Sequence, residues 1–309
     1  MSQQVGHVSG LFRYPVKSML GESLPTAEVD AHGLPGDRGL AFIDTETGKV
    51  VSAKYPARWR AMLTARAMLN GEARITLPDG QTITASDPDL DAVISNLVGR
   101  PVRASVARTA GDTVDRAIPE EVIEYGETAD VEHTQLELAE QSPTEHFVDY
   151  ASLHLITTST LAAAAPPGAE PVDPDRYRPN IVIDSGGATG FLENDWVGRR
   201  LLLGEVEIQV ILPTPRCAIP TLAHGDLPRD NQAVHQLLQR NRIPVEGFGV
   251  LPAAGGVRRG AHPRADHAAR RSSPGGLNHR PTLPGPVGSR VIPCQPRSTS
   301  KTPPSATPR

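Results

Sequence analysis

Arg200-Leu201-Leu202-Leu203-Gly204-Glu205-Val206-Glu207-Ile208-Gln209-Val210-Ile211-Leu212-Pro213-Thr214-Pro215-Arg216-Cys217 is the stretch on which the fold turns. Two apolar runs, Arg200 to Leu203 and Val206 to Leu212, meet at Gly204-Glu205, a pattern that predicts a β-hairpin. The second run ends in a loop framed by Pro213, Pro215 and Pro220 that carries Cys217. Two readings of this thiol stand open: a small buried hydrophobe, or a ligand for a thiophilic metal. Arg216 beside it favours the thiolate.

Working outward, the same strand texture recurs. Val8 to Tyr14 predicts a strand, and Leu40 to Asp44 and Lys49 to Ala53 flank the turn Thr45-Glu46-Thr47-Gly48. Arg74 to Leu77 and Gln81 to Ala85 flank Pro78-Asp79-Gly80, a residue set suited to a tight turn. Asn180 to Asp184 is short and β-branched, as strands are. Few segments read as helix. One starts at Asp89 or Asp91, carries a Leu90, Val93, Ile94, Leu97 stripe and stops at Gly99. A second follows Thr157-Thr158-Ser159 as far as Ala165, and a third is capped by Asp230 and buries Val234, Leu237 and Leu238. Residues 108–150 are acidic and aperiodic and are expected to hold loops. The class is mainly β with a few helices (α+β), and regular strands with little helix favour barrels over a doubly wound sheet.

Composition narrows the function. At 309 residues the chain is long enough for one large domain or two. No run approaches the ~18 apolar residues of a membrane span. Met1-Ser2-Gln3-Gln4-Val5 shows no secretory pattern. Two cysteines, Cys217 and Cys294, make no disulfide framework, so a cytoplasmic, reducing location is expected. The net charge of −4 divides unevenly: residues 252–309 hold ten Lys or Arg against Asp266 alone, about +9, leaving about −13 on residues 1–251. That body excludes a broad basic nucleic-acid surface. The segment 252–309, rich in Pro, Gly, Ser and Arg and without aromatics, is expected to be a disordered basic tail.

Phosphate-loop and dinucleotide glycine motifs, zinc spacings and a Gly-x-Ser-x-Gly elbow do not occur. Three cationic segments stand at predicted strand ends: Arg13-Tyr14-Pro15-Val16-Lys17-Ser18, Gly36-Asp37-Arg38-Gly39 and Arg176-Tyr177-Arg178-Pro179-Asn180. Singly each reads as a solvated surface charge. Taken with Cys217 they suit an anionic, phosphorylated ligand that carries a soft metal.

In this order, Leu11 to Ser18, Gly33 to Arg38, Arg176 to Asn180, Pro213 to Cys217 and Leu227-Pro228-Arg229-Asp230 resemble the MOSC family, the molybdenum-cofactor sulfurase C-terminal type, over about residues 5–251. The N-terminal part resembles the β-barrel domain that precedes it in YcbX-like and amidoxime-reducing proteins. The resemblance implies a MOSC N-terminal β-barrel-like domain at 5–125 and a MOSC β-barrel at 126–251. It implies a molybdenum–molybdopterin cofactor, with Cys217 as metal ligand and catalytic residue. Lys17, Ser18 and Arg38 would hold the pterin or its phosphate. Arg178 and Asn180 would line the same pocket, with Thr157 and Thr158 as further candidates. The implied activity is an oxidoreductase acting on small N-hydroxylated substrates, with no need for pyridoxal phosphate, nucleic acid or membrane. An iron–sulfur cluster needs about four cysteines, so electrons would come from a separate donor protein.

Two other roles fit the same fold. One is a sulfur or cofactor carrier with Cys217 as persulfide or ligand. The other is an inactive, truncated binding protein, because relatives close with a further strand after a Gly-Phe-Gly-like segment. Here Gly247-Phe248-Gly249-Val250-Leu251 runs into the predicted tail. The MOSC domain is therefore expected to lack its closing strand, leaving an open edge and a destabilised second domain.

Overall fold

Glycine-turned hairpins and short β-branched strands assemble here into one eight-stranded sheet with several two- and three-stranded ones. The computed structural model describes residues 3–140, 145–262 and 290–295. Along the main sheet the strands run Arg200–Leu203, Val206–Pro215, Gly249–His262, Leu153–Thr157, Ile181–Asp184, His7–Arg13 and Glu22–Ser23, with Arg242–Val245 paired to Gly249–His262. The hairpin predicted at Gly204-Glu205 forms in register, Leu203 opposite Val206 and Arg200 opposite Gln209. Gly204 takes a φ of 59°, a left-handed conformation that glycine adopts without strain.

The first strand of the chain belongs to this sheet. His7–Arg13 lies antiparallel to Ile181–Asp184, Leu11 facing Ile181. Ile181–Asp184 in turn runs parallel to Leu153–Thr157. The N-terminal segment is thus built into a sheet most of whose strands come from residues 153–262, and one core of Val8, Leu11, Leu153, Leu155, Ile181, Ile183, Val206, Ile208 and Val210 unites them. A second core holds Phe42, Tyr55, Trp59, Met62, Leu63, Ile75 and Ile94, and Cys217 packs against its edge.

Local readings meet the structure closely where turns and caps dictate them. Glu72–Thr76 pairs with Thr82–Thr84 across Pro78-Asp79-Gly80. The helix Leu90–Val98 ends on Gly99 at φ 71°, buries Leu90 and Ile94, and is followed by the strand Val102–Ser105. Ala41–Asp44 is a strand paired along one edge with Val102–Ser105; its predicted hairpin partner meets the other edge through the bridge Ile43 to Val50, with Asp44 N donating to Lys49 O at 2.9 Å and Val51 N to Phe42 O at 2.8 Å.

Two expectations need correcting. Residues 108–150 hold more than loops: Thr113–Ala117 pairs with His133–Glu137, and Pro119–Tyr125 is helical. His133–Glu137 buries no side chain, and Thr113–Ala117 buries the adjacent pair Val114 and Asp115 as well as Ala117, so no apolar alternation marks them. The MOSC domain also does not lack a strand after Leu251. Gly249–His262 pairs with Val206–Pro215 on one side and with Leu153–Thr157 on the other, and 252–257 are buried. The open edge expected there is filled. Arg290–Pro293 likewise pairs with Thr26–Val29 and buries Ile292 among Ala27 and Val29. The rest of the predicted tail, 263–289 and 296–309, lies outside the described residues.

The tail reading failed at Pro252–Gly256 for a steric reason. Ala253, Ala254, Gly255 and Gly256 look like linker residues, yet a central strand needs small residues where its neighbours approach closely. A Cβ on Gly256 would lie 3.0 Å from Val210 Cγ1.

Candidate functional site

One cleft gathers Lys17, Ser18, Arg38, Arg178, Asn180 and Cys217, six of the eight residues singled out from sequence. Thr157 and Thr158 are not among its lining residues. Thr157 is fully buried and caps the helix Thr158–Ala163, its Oγ1 accepting from Thr160 N at 3.1 Å. Its own N–H donates to buried Glu193, 2.6 Å from Oε1. Thr158 Oγ1 accepts from Ser185 N at 3.1 Å. Their hydroxyls are engaged in capping that helix and anchoring the loop after Asp184.

Backbone conformation singles out the same residues. Among the described residues, four non-glycines have left-handed φ: Ser18 (67°), Arg38 (51°), Arg178 (53°) and Ala139 (55°). Such conformations cost of order 1–3 kcal/mol and gather at binding sites; three of these four line the cleft. Each is locked in place. Arg38 N donates to Tyr14 O at 2.7 Å while Tyr14 N donates to Asp37 Oδ1 at 2.8 Å, fixing the Gly36–Gly39 turn on the end of the first strand. Ser18 Oγ accepts from Ala53 N at 3.0 Å. Arg178 closes the helical turn Pro174–Tyr177, its N–H reaching Pro174 O at 3.1 Å.

The guanidinium groups of Arg38 and Arg178 both lie over the Tyr14 ring, 4.8 and 4.4 Å from its centroid. Arg38 pairs with Asp37 and donates to Arg178 O at 3.3 Å. Asn180 is occupied in cross-linking: Oδ1 accepts from His154 N at 3.1 Å and Nδ2 donates to Phe12 O at 3.2 Å. Arg176 ties down the chain after Cys217, donating to the carbonyls of Pro220, Leu222 and Pro228. Arg13, from the same sequence signal, pairs with Glu22 at 2.8 Å and is absent from the cleft lining.

Sequence reasoning missed Lys54, Arg116, Asp149 and His154, which also line the cleft. Lys54 follows directly on a predicted strand, the signal that exposed Lys17, and could have been found the same way. Asp149 sits in the acidic, aperiodic stretch and had no signal. It receives Lys17 Nζ at 2.7 Å and Lys54 Nζ at 3.0 Å, and the two ammonium groups hold its carboxyl far below the usual range although burial opposes them. His154 is buried, and desolvation together with Arg216 lowers its pKa well below 6.5. A guanidinium only donates, so at the 3.2 Å contact with Arg216 Nη2 the His154 Nε2 accepts. Arg216 further donates to Tyr177 O at 3.1 Å and Thr214 O at 3.3 Å, which steadies the loop bearing Cys217.

The charge balance describes what this cleft can hold. Lys17, Arg38, Lys54, Arg116, Arg176, Arg178 and Arg216 line it with one carboxylate among them, Asp149, while Arg38 is also paired with Asp37. Burial lowers Lys17 to about 8, and Arg178 and Arg216 each to about 10, the response of cations with too little counter-charge. Arg178 Nη1 and Thr214 Oγ1 are buried without a hydrogen-bond partner, a condition that usually marks an absent ligand or water. No cluster of three or more His, Cys, Asp or Glu is placed to hold a bare metal ion among the described residues. One free thiol amid cations instead suits a metal held within an anionic chelate. The donor set therefore fits a phosphorylated metal cofactor.

Two known domain families match this chain. The model for the MOSC N-terminal beta barrel domain matches residues 5–117, and that for the MOSC domain matches residues 142–268, beyond Leu251. Mitochondrial amidoxime reducing component 2 of Macaca fascicularis is 28% identical over 236 residues, covering 71% of this chain and 68% of that protein. The Homo sapiens protein of that name is 27% identical over 236 residues, with the same coverage. Mitochondrial amidoxime-reducing component 1 of Xenopus laevis is 26% identical over 240 residues, covering 71% and 66%. No helix among the described residues is long and apolar enough to cross a membrane. With both of its domain models matched, mostly stranded and carrying its cations and thiol in one cleft, the chain belongs to the MOSC family.

Proposed function

We propose that this chain binds a molybdenum–molybdopterin cofactor, with Cys217 as protein ligand to the metal, and reduces small N-hydroxylated compounds. The observation that carries the reading is the meeting of a free cysteine with buried, under-neutralised cations, above all Arg178 with its unpartnered Nη1. The relatives' names attach amidoxime reduction to a chain of this kind. When bound, the cofactor would supply two-electron exchange at the metal.

The chain's own residues do the holding. Arg178 and Thr214 would satisfy their orphaned atoms on the phosphate or pterin, with Lys17, Lys54 and Arg38 adding charge. Ser18, through Ala53, and Asn180, through His154 and Phe12, would keep those cations at fixed positions, and the Ser18 hydroxyl keeps its own proton to donate. Electrons come from a separate donor protein. A cytoplasmic location belongs to the same proposal, since two unpaired cysteines suit a reducing compartment; the relatives' names place those proteins in mitochondria.

The test is expression with cofactor supply, metal analysis, and turnover of an amidoxime with a reduced viologen dye. Molybdenum near one per chain and conversion to the amidine are expected; metal without conversion would favour the carrier role, and no metal would overturn the reading. Arg178→Met should weaken cofactor retention about 100-fold, the loss of one or two charge-assisted hydrogen bonds of about 1.5–3 kcal/mol each.

Lys17 adds a pH signature. Its pKa is lowered to about 8, first by burial, with Asp149 opposing. A bound anion favours the charged amine and so raises that pKa. Affinity is therefore full below about 8 and falls as pH rises above it. Molybdenum retained through gel filtration should drop between about pH 8 and 9.5, and Lys17→Met should bind more weakly and lack that step. A wild-type profile flat across this range would remove Lys17 from the site.

A further inference from the structure

Besides its cations, the cleft has an apolar and aromatic wall. Opposed in character to the cations, Leu136, Tyr150, Leu212, Phe248 and Val257 also line it. Tyr150 lies just ahead of the strand Leu153–Thr157, and Phe248 lies in the turn between the strands Arg242–Val245 and Gly249–His262. Their rings meet edge to face, centroids 5.2 Å apart at 72°. Both are half-buried and rest on the core formed by Ala151, Leu212, Val245, Ala253 and Val257.

The turn is built to present Phe248. Gly247 and Gly249 flank it at φ 78° and 84°, and a Cβ on either would meet nothing within 4 Å. These glycines answer to backbone conformation rather than to crowding. Phe248 N donates to Val245 O at 2.9 Å, which closes the turn. An aromatic pair bordering a polar cleft offers a flat group both contact area and edge-to-face geometry.

We infer that this wall is the subsite for the non-reacting part of the substrate, and that it selects N-hydroxylated compounds carrying an aromatic ring. The inference rests on the proposed reaction but concerns a different part of the cleft. Neither ring need touch the reacting atoms, so Tyr150 and Phe248 act on specificity.

The test uses cofactor-loaded protein without any electron donor, so that binding is read by calorimetry and not turnover. Acetamidoxime, benzamidoxime and 2-naphthamidoxime form a series of rising ring size. Affinity should rise at least about tenfold from first to last on the wild type, within what burying an aromatic ring supplies. Phe248→Ala should abolish that gain while leaving acetamidoxime affinity and molybdenum content unchanged. Should that variant fold poorly, the wild-type series decides alone. A flat series, or equal weakening of all three compounds by Phe248→Ala, overturns the subsite. A series that rises on a protein unable to reduce any of the three upholds the subsite and overturns the reaction.

Discussion

Gly255→Ala is expected to lower the melting temperature by about 10 °C, through a loss of about 2–5 kcal/mol. Gly255 stands in the strand Gly249–His262 at φ 80°. A Cβ there would lie 2.4 Å from Leu155 O and 2.5 Å from His154 Nε2, both on the neighbouring strand. Two costs combine: a left-handed conformation that alanine resists, of about 1 kcal/mol or more, and overpacking of about 1–3 kcal/mol. Relief would require moving Leu153–Thr157 or displacing His154, and with it the Arg216 contact beside Cys217. Gly247→Ala is the control. It has nearly the same φ, 78°, but open space around it, so it should show the conformational cost alone. Differential scanning calorimetry of the two variants checks this. Equal shifts, or a Gly255→Ala shift under about 1 °C, would mean that this segment is not held between its neighbours.

Cys217→Ala is expected to leave the fold nearly as stable and to remove the metal. The side chain is half-buried at the edge of the second core, so its truncation costs little packing. Losing even an outer-shell partner typically weakens a metal site 10–100-fold; losing the thiolate should do at least as much. Molybdenum per chain should fall to about a tenth or less, and turnover with it. Cys217→Ser should do the same, because a neutral hydroxyl is no substitute for a thiolate. Cys294→Ala should retain the metal, since Cys294 packs against the other core, beside Ile292 and Val8. Equal molybdenum in wild type and Cys217→Ala would reject the ligand assignment. A variant that keeps molybdenum but loses cyanide-releasable sulfur would favour the carrier role.

Local order was readable where a single turn or cap decides it. Gly99, Gly204 and the Pro78-Asp79-Gly80 turn each announce a backbone conformation that few other residues accept, and the elements they bound are found there. The cationic segments were readable by the same local logic: Lys17, Arg38 and Arg178 stand at strand or turn ends, and the cleft gathers them. Thr157 and Thr158 show the limit of that logic. Their position after a strand suited both a cap and a ligand, and their pairing with Thr160, Glu193 and Ser185 decided between them.

By itself, then, the amino-acid sequence determined the chemistry available: one thiol in the body of the chain, cations at strand ends, and turns that make the class mainly β. Tertiary structure alone decided which of these meet. Strand partners come from residues about 170 apart, as with Leu11 and Ile181, and no local pattern encodes such pairing. It brought Asp149 and His154 to the cleft and kept Thr157 out of it. It also turned Pro252–Gly256 from apparent linker into central strand, because small residues read as disorder in isolation and as close packing once two strands lie against them.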